Sequence, residues 1–331
     1  MSTRLNLALG EDGLVLPDTG DIAVFYARQD TDLSGLPKDR VRIVQPLYPD
    51  HAALGAAGYA CIVAESDNPS RFAAALVCLP RARAQARELI ARAMAVTDGP
   101  VVIDGAKTDG IDSALKDMRK RMPVQGPVSK AHGKLFWVQS DAADLSDWLP
   151  LPNQTADGFR TAPGVFSADG IDPASRILAE SLPAKIGPHV IDLGAGWGYL
   201  SAEILKNPRV RELDLVEADH IALDCARHNI SDDRARCHWA DARTWRPDHK
   251  ANTVVTNPPF HTGRASEPNL GRGFIRAAAD MLVPSGQLWM VANRHLAYEA
   301  TLKECFAEVA EVSGDNRFKV LHASRPARTR R

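Results

Sequence analysis

Long apolar runs are missing from this chain. No stretch is long enough to span a bilayer, and the first residues, Met1-Ser2-Thr3-Arg4-Leu5-Asn6, lack the apolar core of a secretory leader. The expectation is a cytoplasmic protein with no membrane partner. Cysteine is scarce as well: five in 331 residues, with no C-x-x-C and no paired histidine spacing. That pattern reads as reduced thiols and no metal site. Neither sign of charge dominates. Forty basic residues face 41 acidic ones, for a net charge of -1, which excludes a strongly basic nucleic-acid coat. Any contact with nucleic acid must come from a local patch. What the chain does have is apolar content, 45%, enough for two domains with separate cores.

The proline-rich Leu149-Pro150-Leu151-Pro152-Asn153 and the polar stretch to Gly164 mark a boundary. The expected division is a first domain over 1–150, a linker over 151–163, a second domain over 164–324 and a basic tail over 325–331. On both sides of the boundary, short apolar runs alternate with helical patterns, which predicts an α/β fold with an open parallel sheet. The halves also resemble each other. One apolar run ends at Cys78-Leu79-Pro80 and its counterpart at Asn257-Pro258-Pro259, each followed by a helix, a turn, a strand and another helix. This suggests duplication of one Rossmann-like domain. The first copy has neither a glycine-rich loop nor Asn-Pro-Pro, so it reads as degenerate.

Asn257-Pro258-Pro259-Phe260 follows the strand-like Thr253-Val254-Val255-Thr256. Two prolines remove two backbone donors and fix two φ angles, and the first pushes Asn257 into an extended conformation. The product is a rigid platform. An amide oxygen and a proline carbonyl can accept the two hydrogens of a planar –NH2 group, while Phe260 stacks on its ring. The plainer reading is a strand ending in a proline turn with Phe260 in the core.

Upstream, Val190-Ile191-Asp192-Leu193-Gly194-Ala195-Gly196-Trp197-Gly198 reads as a strand running into a glycine turn and a helix. The dinucleotide pattern would place a third glycine at Tyr199. Its place at Gly198 suits a cofactor without phosphate, such as S-adenosylmethionine. Glu217 closes the next strand, where an acid can take both ribose hydroxyls, and Asp241 follows the next, where it could accept the adenine amine or cap a helix. Asp192, Gly194, Gly196, Glu217, Asp241 and Asn257 thus fall in order at successive strand tips.

With these motifs the chain resembles the class I S-adenosylmethionine-dependent methyltransferases, and within them the ribosomal RNA guanine-N2 methyltransferases of the small-subunit type. The resemblance runs from Gly164 to about Ser324. It is carried by Pro163-Gly164-Val165-Phe166-Ser167-Ala168-Asp169-Gly170-Ile171-Asp172, the glycine loop, Asn257-Pro258-Pro259-Phe260-His261 and Arg317-Phe318-Lys319-Val320. The first half matches more faintly, through Leu79-Pro80 and Asp109-Gly110-Ile111. The resemblance implies two tandem methyltransferase domains with the first one degenerate, and ribosomal RNA or the small subunit as partner. It implies S-adenosylmethionine held by Phe166, Asp172, Asp192, Gly194, Ala195, Gly196, Glu217, Ala218, Asp241, Ala242 and Asn257. Catalysis would fall to Asn257, Pro258, Pro259 and Phe260.

Rival readings remain on the residues alone: an adenine or protein-glutamine methyltransferase, a nicotinamide oxidoreductase on the glycine loop, or a non-catalytic RNA-binding factor. RNA contacts are expected at Arg317 and Lys319, on the helix carrying Arg81, Arg83, Arg87 and Arg92, or on the tail with Arg325, Arg328, Arg330 and Arg331. A solvated face is the competing account of that helix.

Overall fold

The computed structural model describes residues 4–10, 13–68, 70–151, 155–259 and 268–327. The chain divides into two compact units, Met1–Pro152 and Asn153–Arg331. The first contains α1 (Arg4–Gly10), β1 (Ile22–Phe25), β2 (Val41–Val44), α2 (Tyr48–Ala56), β3 (Ala60–Ile62), β4 (Ala74–Cys78), α3 (Arg83–Val96), β5 (Pro100–Ala106), α4 (Ile111–Arg119), β6 (Gln125–Lys130) and β7 (Gly133–Gln139). Its sheet runs β3-β2-β1-β4-β5-β7-β6, parallel except for β7, which is antiparallel to both neighbours.

The second unit opens with a hairpin, β8 (Thr155–Ala156) and β9 (Phe159–Arg160). Then come α5 (Pro173–Ser181), β10 (His189–Leu193), α6 (Tyr199–Leu205), β11 (Glu212–Glu217), α7 (His220–Asn229), β12 (Ala235–Trp239) and β13 (Ala251–Thr256). It ends with α8 (Pro268–Met281), β14 (Leu282–Asn293), α9 (Glu299–Cys305), β15 (Phe306–Gly314) and β16 (Phe318–Pro326). The sheet order, β12-β11-β10-β13-β14-β16-β15, repeats that of the first unit.

The core follows from two-residue alternation along strands covered on both faces. Ile191 and Leu193 pack with Phe274 and Ile275 of α8 and Leu302 of α9. Val190 packs on the other face with Leu178 of α5, Leu200 and Ile204 of α6 and Ala226 of α7. In the first unit Ala23 and Phe25 share a cluster with α3 and α4, while Ile22 and Val24 join α1 and α2.

The repeated order allows the two units to be aligned by register. Phe25 pairs with Val44 as Leu193 pairs with Val216, and Phe25 pairs with Val77. Asp192 pairs with Val255, so Leu193 lies level with Thr256. A left-handed residue follows in both units, Tyr26 at φ +60 and Gly194 at φ +81. On this alignment Val24, Gln45 and Cys78 occupy the places of Asp192, Glu217 and Asn257. Gln45 keeps the bond of its counterpart: its Oε1 accepts from Leu47 N, two residues on, as Glu217 Oε1 accepts from Asp219 N. Its other end is inverted, because Gln45 Nε2 donates to the Ala27 carbonyl. The first unit is therefore the same fold with the three polar tip residues replaced.

Several elements depart from the sequence reading. Strands β6 and β15 were not expected; both are edge strands, one carrying Gly126 and Pro127 and the other mostly exposed. An edge strand covered on one side needs no apolar run. The stretch expected as a linker supplies β8 and β9 to the second unit. Arg325, expected in a tail, belongs to β16 and pairs with Glu308. Arg328, Arg330 and Arg331 lie outside the described residues.

Candidate active site

In a sheet of this order the strand sequence reverses between β10 and β13, and ligands bind beyond the carboxyl ends of the strands at that point. The glycine loop after β10 and the Asn-Pro-Pro segment after β13 meet there. Thr256 Oγ1 donates to the Leu193 carbonyl at 2.6 Å and ties the two tips together. A pocket opens between them, lined among others by Phe166, Asp172, Ser175, Gly194, Gly196 and Asn257.

Asn257 is held from one side. Its Nδ2 donates to Asp172 Oδ2 at 3.0 Å and to Ser175 Oγ at 2.8 Å. A carboxylate only accepts, so the amide nitrogen must face Asp172 and the oxygen must face away. That oxygen, Oδ1, is buried with no partner among the described residues. Asp172 is available for this because of its place in the chain. It is the N-cap of α5, its Oδ2 also accepts from Ser175 N at 2.8 Å, and Pro173 starts the helix. Asp172→Ala should therefore cost about 1 kcal/mol of stability through the lost cap. On the methyltransferase activity that the resemblance implies, it should also slow methyl transfer about tenfold or more by freeing the Asn257 amide. A urea midpoint and a single-turnover rate read the two effects separately.

The glycines divide the work of the loop. A Cβ on Gly198 would meet Ile230 and Ala226 at 3.2–3.3 Å, so its smallness serves packing against α7. At Gly196, with φ +56, a Cβ would meet nothing within 4 Å. The open side of Gly196 is where a ligand can approach the backbone. Asn229 braces the loop: its Nδ2 donates to the carbonyls of Trp197 and Arg160, and its Oδ1 accepts from Arg160 N. The Phe166 carbonyl accepts from Trp197 Nε1 at 2.9 Å, and Phe166, which lines the cavity, is 61% exposed.

Glu217 ends β11 and supports the loop from the side. Its Oε2 accepts from Gly196 N at 2.7 Å and its Oε1 from Asp219 N at 2.9 Å. Burial raises its carboxyl above the ordinary range, against the pull of these amides. Four acceptor positions on a carboxylate leave two for a ligand. Asp192, fully buried within β10, accepts from Ser201 Oγ at 2.6 Å. Burial pushes its carboxyl up to about 7, with the nearby Glu217 charge adding to the effect. The folded protein therefore holds a proton that the unfolded chain releases near pH 4, and stability falls as pH rises from about 4 to about 7. Asp192→Asn should remove that dependence. Melting temperatures at pH 5 and pH 8 should show the variant gaining on the wild type at the higher pH.

Of the expected cofactor residues, Phe166, Asp172, Gly194, Ala195, Gly196 and Asn257 line the cavity, whereas Asp192, Glu217, Ala218, Asp241 and Ala242 are not among its lining residues. Asp241 follows β12, and both its oxygens bond Arg243. Burial would raise its carboxyl, but these bonds bring it below the usual range. Pro258 is buried and Pro259 exposed; Phe260 and His261 lie outside the described residues. Ser175, Trp197, Tyr199 and Leu200 also line the cavity. The start of helix α5 signalled by Asp172-Pro173 could have found Ser175, which sits at its third position.

The expected RNA contacts fare differently. Lys319 is 5% exposed and donates to Glu299 at 2.5 Å, so it cannot serve as an exposed phosphate contact. Arg83 and Arg87 share Asp117, Arg81 pairs with Asp109, and Arg92 pairs with Glu65 and Glu88. Arg317 is largely exposed beside Asp315.

The strand order shared by both units, with a glycine loop and an acid at adjacent strand tips of the second, defines a class I methyltransferase. The family model of the methyltransferase small domain matches residues 157–322, and the chain belongs to that family. Among its relatives is the ribosomal RNA small subunit methyltransferase C of Vibrio cholerae, 28% identical over 262 residues, covering 76% of each chain. The protein of the same description from Shewanella pealeana is 30% identical over 266 residues, covering 75% of this chain and 76% of the relative. A solved 16S rRNA N2 methyltransferase from T. thermophilus, in complex with AdoMet and guanosine, aligns with a TM-score of 0.78 over 94% of this chain and 90% of its own, at 24% identity. That likeness establishes the two-unit fold.

Proposed function

We propose that this protein methylates the exocyclic N2 amine of a guanine in 16S ribosomal RNA, using S-adenosylmethionine, in the cytoplasm. The observation that carries the reading is the Asn257 amide, fixed through its nitrogen so that its buried oxygen has no partner among the described residues, in a residue that lines one cavity with the glycine loop. The names of the curated relatives point to the small ribosomal subunit.

The residues present fit the cofactor. The cavity lining carries no lysine or arginine among the described residues, which matches a ligand without phosphate. Gly196 leaves open space for it, and Glu217 retains free acceptor positions for a ribose diol. Gly194, Ala195 and Gly196 would border it, with Phe166 and Asp172 at the cavity and Asp241 with Ala218 and Ala242 toward the adenine. When bound, S-adenosylmethionine supplies a methyl group activated on a sulfonium.

The chain's own part is to present the amine. Its lone pair is delocalised into the base, so the nitrogen is a weak nucleophile. Hydrogen bonds from the amine to Asn257 Oδ1 and the Pro258 carbonyl localise that lone pair and favour the positive charge that develops in transfer. Orientation by a rigid tip supplies much of the rest. A base inside a duplex cannot reach such a cavity, so the nucleotide must be flipped out, and Phe260 is assigned its stacking face.

The test is transfer of tritiated methyl from S-adenosylmethionine to small subunits lacking the modification, followed by nucleoside analysis. N2-methylguanosine is expected. Labelled methyl-adenosine, or label found in protein glutamine, would overturn the substrate assignment.

A further inference from the structure

The second unit carries another chemical cluster, at the opposite end of its strands from the glycine loop. His189 is the first residue of β10, Glu212 the first of β11, and His249 lies just before β13. We propose that these three side chains form a binding site for a divalent transition-metal ion of the zinc type. One ligand atom from each residue lies within 4.8 Å of the other two. His249 Nε2 and Glu212 Oε2 are 3.0 Å apart, and the two imidazole rings are 4.6 Å apart between centroids.

The second observation comes from the buried histidine. His189 is 5% exposed and its Nε2 lies 2.8 Å from Asp214 Oδ2. The same carboxylate accepts from Arg236 Nε at 3.1 Å and meets His238 Nε2 at 2.8 Å. A carboxylate beside a guanidinium is an acceptor, so Nε2 of His189 carries the hydrogen, and in the neutral ring Nδ1 carries the lone pair. That Nδ1 is buried without a hydrogen-bond partner among the described residues. A carboxylate behind one nitrogen of an imidazole, with the other nitrogen bare, is the arrangement that orients metal-binding histidines.

The donor set decides the ion. Two imidazoles and one carboxylate suit zinc and its neighbours, which accept nitrogen, whereas magnesium and calcium prefer an all-oxygen shell. Three protein ligands leave a fourth position for water. Glu212 also pairs with Arg236, and this guanidinium must share the carboxylate with the ion. The ligands come from β10, β11 and the segment before β13, three neighbours in the sheet. The ion would clamp the amino ends of the strands whose carboxyl ends form the methyl-transfer site. No sequence spacing announces such a set, because 23 residues separate the first two ligands and 37 the last two.

The experiment uses the full chain, stripped of metal by a chelator. Zinc is titrated against a chromophoric competitor, cobalt is added while the visible spectrum is read, and the melting temperature is followed with zinc. We expect one ion per chain, the intense visible bands of low-coordinate cobalt and a higher melting temperature. His249→Ala should weaken zinc by about tenfold or more. Its side chain is 59% exposed, so the fold does not depend on it. Glu212→Gln should act in the same direction. Absence of stoichiometric binding, or binding unchanged in both variants of normal circular dichroism, would overturn the site.

Discussion

Asn257→Ala is expected to lose methyl transfer by about 10²–10³-fold or more in kcat while S-adenosylmethionine affinity stays near that of the wild type. The asymmetry follows from how the side chain is held. Its nitrogen is spent on Asp172 and Ser175, which leaves the oxygen, without a partner among the described residues, as the atom free to accept from an amine. An acceptor aimed at an amine strengthens as that amine becomes positively charged, so its loss falls on the transition state. The cofactor loses at most one neighbour among several in the cavity lining. Asn257→Asp is the informative companion. It keeps the size and an acceptor, but it sets a carboxylate against Asp172, and repulsion displaces the very oxygen that should face the substrate. Equilibrium binding of S-adenosylmethionine and single-turnover transfer separate the two steps. Near wild-type turnover in Asn257→Ala would sink the assignment of the platform.

The parts of this arrangement differ in how far the sequence discloses them. Central strands are covered on both faces and carry mainly apolar side chains, so β10, β11 and β13 stand out as runs ending in Gly194, Glu217 and Asn257. The edge strands β6 and β15 have no such obligation, and their polar residues hide them. The grip of Asp172 on Asn257 spans 85 residues. In the sequence Asp172 enters only through the family-like segment that ends on it, as an expected cofactor residue, and nothing marks its hold on Asn257. Lys319 illustrates the opposite error. A lysine in a family-like segment reads as an RNA contact, yet its strand neighbour Val320 belongs to the core and Glu299 neutralises its charge within the fold.

The repeated sheet supplies its own control for Glu217. Glu217→Gln should weaken S-adenosylmethionine by about 10–10²-fold, in keeping with the loss of hydrogen bonds to a charged acceptor, with kcat at saturating cofactor little changed. Gln45 shows why the amide is tolerated in one unit and should fail in the other. In the first unit the chain offers Gln45 one donor, Leu47 N, and one acceptor, the Ala27 carbonyl. An amide satisfies both and has no second oxygen for a diol. In the second unit both neighbours are donors, Gly196 N and Asp219 N. An amide there can serve only one of them and turns its –NH2 toward the other. The glycine loop then loses its support at Gly196, on the side where the backbone is open to a ligand, and the ribose loses an acceptor. Asn257→Ala and Glu217→Gln thus fail at different steps, the first in transfer and the second in binding. Isothermal titration with S-adenosylmethionine checks the second. Undiminished affinity in Glu217→Gln would mean that the acid at the tip of β11 braces the loop without holding the cofactor.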